Sequence, residues 1–346
     1  MVKDKIVTFG EVLLRWSKNG FRRLSQGKLF NGNYGGSEAN VAVSLSMLNN
    51  KVEYVTCLPD DLMGKSCLQT LRYYGLNLAH VCVGGERLGT YYFEASAAMR
   101  NSQVVYDRNN SAFYSLRPGM IHWDEIFQDA KIFHCSGITC AISQDAQDAT
   151  FEAVRKADEM GLYITCDINY RKNLWKYGAD AHETLHRLMQ YSDFIFGDQN
   201  EWELASGLPH IPFEAKDSQY VLDLEAYLAY FRQLQKQFPR CRQMMMALRN
   251  QITTNHHTLT GLLYVPTSPS DGTLYATRIE DIQPIIDPMG VGDAFVAAYI
   301  HAHEKWKDAP QRCLDFALTA SALKNSVPGD FNLLTEEEIL EAEKSY

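Results

Sequence analysis

Asp287-Pro-Met-Gly-Val-Gly-Asp293, followed by Ala-Phe-Val-Ala-Ala-Tyr299, is the stretch on which the reading of this 346-residue chain turns. The run Pro284–Ile286 reads as a short strand that enters a tight glycine turn, and a helix of small and apolar residues starts at once. With no Cβ at Gly290 or Gly292, the backbone can close on a ligand. The turn then aims the free N–H groups of Gly290, Val291 and Gly292 at one point, the positive end of a helix. That is a seat for an anion, and the carboxylate of Asp293 stands beside it. A bound phosphate would repel this carboxylate, so its presence points to chemistry. Asp293 would be a base, and the turn would hold a migrating phosphoryl group. A helix start that merely carries Asp in a favoured place has the same residues, so a second motif has to decide.

Near the other end the chain reads Gly35-Gly36-Ser37-Glu38-Ala39-Asn40-Val41-Ala42. A glycine pair again opens a helix of small and apolar residues, with Asn40 in its first turns. Together with the 287–293 stretch, and with Asn200-Glu-Trp-Glu203 between them, this pattern resembles the ribokinase-like (PfkB) family of carbohydrate kinases. The resemblance runs from Ile6 to about Leu333. Further runs are similar to the members of that family that act on 2-keto-3-deoxygluconate: Cys166-Asp-Ile-Asn-Tyr-Arg-Lys-Asn-Leu-Trp175, Val105-Tyr-Asp-Arg108, His134-Cys-Ser-Gly-Ile138-Thr and Pro328-Gly-Asp330-Phe-Asn.

The resemblance implies one ribokinase-like α/β domain over residues 1–346: a doubly wound, mainly parallel sheet flanked by helices. A small β-lid would come from about 12–34 and 83–114. It implies ATP-dependent phosphorylation of a sugar acid at its terminal hydroxyl, with fructose or another neutral ketose as the neighbouring substrate class and a silent sugar-acid sensor as the remote one. Asp293 would be the catalytic base, with Gly290, Val291 and Gly292 as the anion hole. Gly36, Tyr91, Tyr106, Arg108, Ile138, Arg171 and Asp330 would line the sugar. Asn169, Arg171, Arg249, Gly290, Gly292 and Asn325 would line the nucleotide, and Asn200 and Glu203 would hold the water shell of Mg²⁺. Asp287 would organise the turn or a nearby cation site, which leaves room for a monovalent cation. One departure stands out. Where the family often carries a glycine-rich nucleotide loop, this chain has Leu248-Arg-Asn-Gln-Ile-Thr-Thr-Asn-His-His257 after a strand, so adenine contacts and donor preference stay open.

Composition agrees with an ordinary globular enzyme. Hydrophobic residues make up 46%, enough for a sizeable core. A net charge of −9 argues against nucleic-acid or anionic-membrane partners, and it means that an anionic substrate needs locally placed Arg such as Arg108 and Arg171. The eight cysteines form no Cys-x-x-Cys pair and read as scattered buried thiols of a reducing compartment. The start of the chain reads as a strand and not a signal peptide, and no apolar run approaches a membrane span, so a cytoplasmic place is expected.

Strand-like and helical runs alternate: Ile6–Gly10, helix Glu38–Leu48, Val52–Cys57, helix Lys65–Tyr74, Ile132–Cys135, helix Ser143–Met160, Tyr163–Asp167, helix Ala179–Gln190, Phe194–Gly197, helix Leu222–Gln237 and Gln243–Leu248. That order predicts a parallel sheet with its ligands beyond the carboxyl ends of the strands. The aromatics Tyr91, Tyr92, Phe93 and Tyr106 are expected on an exposed lid face that serves the sugar or a second subunit, giving a homodimer or higher homo-oligomer. His182-Glu-Thr-Leu-His186 matches a zinc-protease pattern. It lacks a third ligand nearby, and its helix sits between two sheet strands, so no zinc site is expected. His256, His257, His301 and His303 read as loop or helix-surface residues.

Overall fold

Successive side chains of each central strand point to opposite faces, which divides the core in two. A computed structural model describes residues 3–345. Val7 and Phe9 point into one apolar layer while Ile6 points into the other, and Met244 and Met246 are likewise separated from Met245. One layer is roofed by helices Gln144–Glu159, Ala181–Met189 and Leu224–Gln237. The other is roofed by Ser37–Met47, Leu62–Tyr73, Val291–Lys305 and Pro310–Lys324. A sheet buried on both faces needs strands that are apolar on both sides, and the near-continuous burial of Lys5–Phe9 and Ala130–Ser136 meets that need.

Six strands run parallel in the order Val52–Val55, Lys5–Phe9, Ala130–Ser136, Tyr163–Asp167, Phe194–Asp198 and Gln243–Thr253. Two antiparallel strands, His256–Ser268 and Asp271–Ala276, extend the sheet, and Glu280–Ile282 pairs with His256–Ser268 off the main path. A second, four-stranded sheet is ordered Asn31–Gly35, Leu13–Ser17, Thr90–Glu94 and Gln103–Asp107.

Four details differ from the expectations. The run Pro284–Ile286 is not a strand: Gln283–Pro284 is cis, the N–H of Ile285 bonds to Asn255 O, and those of Ile286 and Asp287 bond to Asn325 O. The stretch after Leu248 is not a loop but the continuation of the strand Gln243–Thr253 into a hairpin, because it pairs with residues 256–264. Tyr91 and Phe93 are buried, packed with Leu13 on the inner face of the small sheet, while Tyr92 and Tyr106 are half-buried. His257 and His301 are buried instead of lying on the surface. All eight cysteines are free, and Cys82 alone among them is not fully buried. No helix among the described residues is long and apolar enough to cross a membrane.

Candidate active site

Two glycine-opened helices meet at one carboxylate. Gly290, with φ of 76°, caps Val291–Lys305, and a Cβ there would stand 2.0 Å from the carbonyl oxygen of Asp330. Gly36 caps Ser37–Met47, and its missing Cβ would stand 2.2 Å from the carbonyl oxygen of Glu11. Neither approach tolerates a side chain, so the glycines let the Asp330 and Glu11 backbones close on the two helix starts. Asp293, in the first turn of the late helix, accepts from Ser37 Oγ (2.9 Å) at Oδ1 and from Asn40 Nδ2 (2.7 Å) at Oδ2. Ser37 Oγ in turn accepts from Asn169 Nδ2 at 2.6 Å. Asn169 sits in the left-handed region, with φ of 43°, and its Oδ1 is buried without a partner among the described residues. Burial raises the pKa of Asp293 above the usual carboxylate range, against the pull of Asn40, Ser37, Arg171 and Lys324.

Asp293 lies where two cavities join. A cleft of about 360 Å³ is lined by Asn169, Arg171, Asn200, Arg249, Gly290, Val291, Gly292 and Asp293, together with Asp167, Asp198, Glu201 and Ser321. The N–H groups of Gly290, Val291 and Gly292 have no protein acceptor among the described residues. A narrower pocket of about 90 Å³ is lined by Gly36, Tyr91, Tyr106, Arg108, Ile138, Asn169, Arg171, Gly290, Asp293 and Asp330, with Glu11, Ser37, Glu38 and Asn40. Arg171, Asn169, Gly290 and Asp293 border both.

In the narrower pocket, Arg108 is buried and donates through Nε to Glu11 Oε2 at 2.6 Å, while its Nη1 has no partner among the described residues. Asp330 accepts from Arg15 Nη1 (2.9 Å) and from the Tyr91 hydroxyl. Burial pushes its pKa up to about 6, although Arg15 pulls the other way. Glu38 accepts from Ser136 Oγ (2.6 Å) and Thr139 Oγ1 (2.7 Å), and burial pushes it to about 7. Asp287 lies under the turn. It accepts from Arg15 Nη2 at 2.5 Å and from the N–H groups of Met289 (3.1 Å) and Gly329 (3.0 Å), so it organises the backbone.

Two expected site residues lie elsewhere. Glu203 is not in the cleft; its carboxylate is turned to His210, bonding both its ring Nδ1 and its N–H. Glu201 lines the cleft instead, because Asp198 caps helix Gln199–Ser206 and Glu201 closes the capping box at its third position. Glu201 also accepts from Tyr170 N at 2.9 Å, and burial next to Asp198 raises it to about 7. Asn325 is buried outside both linings, with Nδ2 on the carbonyls of Ser321 and Ala322 and its own carbonyl holding Ile286 and Asp287. The neighbouring Ser321 is the residue of that helix in the cleft wall. Sequence reasoning also missed Glu11, Arg15, Glu38 and Lys324. Only their odd placement within apolar runs signals burial. His182 and His186 donate Nδ1–H to the carbonyls of Leu204 (2.6 Å) and Ala205 (3.0 Å), tying one helix to the next.

A family model described as pfkB family carbohydrate kinase matches residues 3–245. The chain belongs to the pfkB family of carbohydrate kinases. Beyond that segment, likeness to whole proteins carries the comparison over the 287–293 turn. The crystal structure of 2-dehydro-3-deoxygluconokinase from Thermotoga maritima superposes with a TM-score of 0.88 at 30% identity, covering 99% of each chain. The 2-dehydro-3-deoxygalactonokinase of Haloferax volcanii is 27% identical over 97% of this chain and 95% of its own length. The 2-dehydro-3-deoxygluconokinase of Bacillus subtilis is 26% identical over 98% and 95%. This pfkB kinase thus has the doubly wound, mainly parallel sheet of its relatives and, at its strand ends, a carboxylate between two cavities.

Proposed function

We propose that this kinase transfers the γ-phosphoryl group of ATP to the terminal (C6) hydroxyl of a 2-keto-3-deoxy sugar acid, 2-keto-3-deoxy-D-gluconate (2-dehydro-3-deoxygluconate) first. The observation that carries the reading is Asp293 standing at the junction of two cavities, beside N–H groups that no protein acceptor uses. The sugar occupies the narrower pocket and the triphosphate the larger cleft. Asp293 takes the hydroxyl proton as that oxygen attacks the γ-phosphorus, and the Gly290, Val291 and Gly292 amides stabilise charge on the transferred oxygens. Asn169 and Arg171, bordering both cavities, steady the group in flight.

The acid is favoured by Arg108. Glu11 fixes its Nε and leaves Nη1, buried and unpartnered, for a carboxylate of the substrate. The curated names of the relatives, both 2-dehydro-3-deoxy sugar acid kinases, support the same class. A neutral ketose is the second reading, since Glu11 already offsets the Arg108 charge. Arg108→Ala separates the two. On the keto sugar acid kcat/KM should fall about 100-fold or more, and on fructose by far less. Equal losses would sink the carboxylate clamp. ADP release with neither sugar class, from folded protein, would favour the silent sensor.

Mg²⁺ fits the cleft by donor chemistry. Asp167, Asn200 and Glu201 offer oxygen to a hard cation, and among the described residues no cluster of three or more His, Cys, Asp or Glu cages a metal. That suits an ion that keeps its waters and shares phosphate oxygens. When bound, it neutralises charge on the triphosphate. Pairing of two such sheets in a homodimer is the corresponding proposal for the assembly. Light scattering of the purified chain tests that.

A further inference from the structure

The floor of the 287–293 turn is built around buried cations of the chain itself. Lys324, the last residue of helix Pro310–Lys324, is wholly inaccessible. Its Nζ donates to the carbonyl oxygens of Val327 (3.0 Å) and Gly329 (2.9 Å). The same segment is stitched to the turn: Gly329 N–H reaches Asp287 Oδ2, and the Asp330 carbonyl packs against Gly290. Arg15 bridges Asp287 and Asp330 from the small sheet. A buried ammonium is rare unless carbonyls and opposite charges compensate it. Here burial lowers the Lys324 pKa while Asp287, Asp330 and Asp293 hold it up.

Backbone carbonyls beside carboxylates, shut off from solvent, are the surroundings in which proteins hold a desolvated monovalent ion. The family resemblance leaves room for such an ion next to this turn, but the residues present do not fit one. The Val327 and Gly329 carbonyls are taken by Lys324, and a further positive charge would face both Lys324 and Arg15. We infer that the Lys324 ammonium is a tethered replacement for a monovalent cation, positioning the phosphoryl-binding turn, so that this kinase works without potassium or ammonium ions. Lys324 touches neither cavity lining and is therefore a positioning residue.

The test rests on the kinase reading and is arranged to fail separately from it. Turnover of the whole chain is followed by ADP release in tetramethylammonium buffer, with K⁺ or NH₄⁺ exchanged in at constant ionic strength. Wild type should change by less than about twofold, and a rise of about tenfold would overturn the inference. Lys324→Ala vacates the place of the charge and keeps the carbonyls. Its kcat should fall about 100-fold and recover about tenfold or more with K⁺ or methylammonium, the sugar KM moving little. Lys324→Met, which fills the space without charge, should not be rescued. A folded Lys324→Ala that neither ion restores would overturn the proposal. Should that variant be poorly folded, or should no sugar turn over even in wild type, thermal melts decide. K⁺ must raise the melting temperature of Lys324→Ala and leave wild type unmoved, since only an emptied site gains a ligand.

Discussion

Asp287 and Asp293 lie six residues apart in one turn, and their surroundings have opposite character. Asp287 is gripped by the Arg15 guanidinium and two backbone N–H groups, with the Lys324 ammonium close by. Asp293 is offered only neutral donors at contact distance, the Ser37 hydroxyl and the Asn40 amide. The oxygens of Asp287 are taken up by the guanidinium and the backbone donors that they hold in place. A carboxylate with neutral donors, half-buried and pushed up in pKa, keeps an appetite for a proton. On the proposed reading, the difference teaches how one turn separates scaffold from reagent, by placing its cations under the backbone and only neutral donors against Asp293.

Four substitutions would break or sharpen that contrast. Asp293→Asn should lower kcat by about 1,000-fold or more with the sugar KM little changed, measured by coupled ADP release. Near-normal turnover would transfer the base role to another group. Arg15→Met should leave Asp287 and Asp330 buried without their guanidinium, at a cost of about 3–5 kcal/mol in denaturant unfolding. A neutral outcome would mean that Lys324 alone balances the floor.

Glu38→Gln tests burial without a cation. The folded pKa of Glu38 stands near 7 against an ordinary 4.5, so its stabilising protonated form is fully present below about pH 4.5 and lost as pH rises through 7. Glutamine mimics the protonated form. The variant should match wild type near pH 4 and exceed it by about 3 kcal/mol at pH 8, read from unfolding curves. The smallest effect is Ser37→Ala, with kcat/KM down about tenfold. Ser37 lowers the Asp293 pKa, so its removal should move the acid limb of the pH–rate profile to higher pH. A limb that stays in place would remove Ser37 from the base's surroundings.

Much of this was legible in the chain. Short strand-like runs between helical ones, such as Tyr163–Asp167, marked the sheet, and glycines before small-residue helices marked the two helix starts that meet at Asp293. Arg108 and Arg171 were picked out because a chain with net charge −9 needs local arginines to meet an anion, and both line the cavities, Arg108 buried and Arg171 exposed. The buried counter-charges were not. Glu11 and Arg15 find their partners only through tertiary packing, since Arg108, Asp287 and Asp330 lie far along the chain, and Lys324 is buried by the fold although it bonds to the carbonyls just after it. Glu203 was misjudged because the helix begins at Asp198, which turns the first-turn Glu201 to the cleft and the later glutamate to His210. The hairpin after Leu248 was read as a loop because its Asn, Thr and His are turn-prone, and only the register with residues 256–264 overrules them.

Arg15 belongs to the small sheet but is clasped by Asp287 and Asp330 of the main body, and Tyr91 of the adjoining strand is fastened to the same Asp330. The small sheet is therefore pinned to the main body through both of its central strands. Its two edge strands, Asn31–Gly35 and Gln103–Asp107, each pair on one side only within that sheet. Lifting this sheet as a unit would break buried ion pairs, so flexing of the margins is the less costly movement.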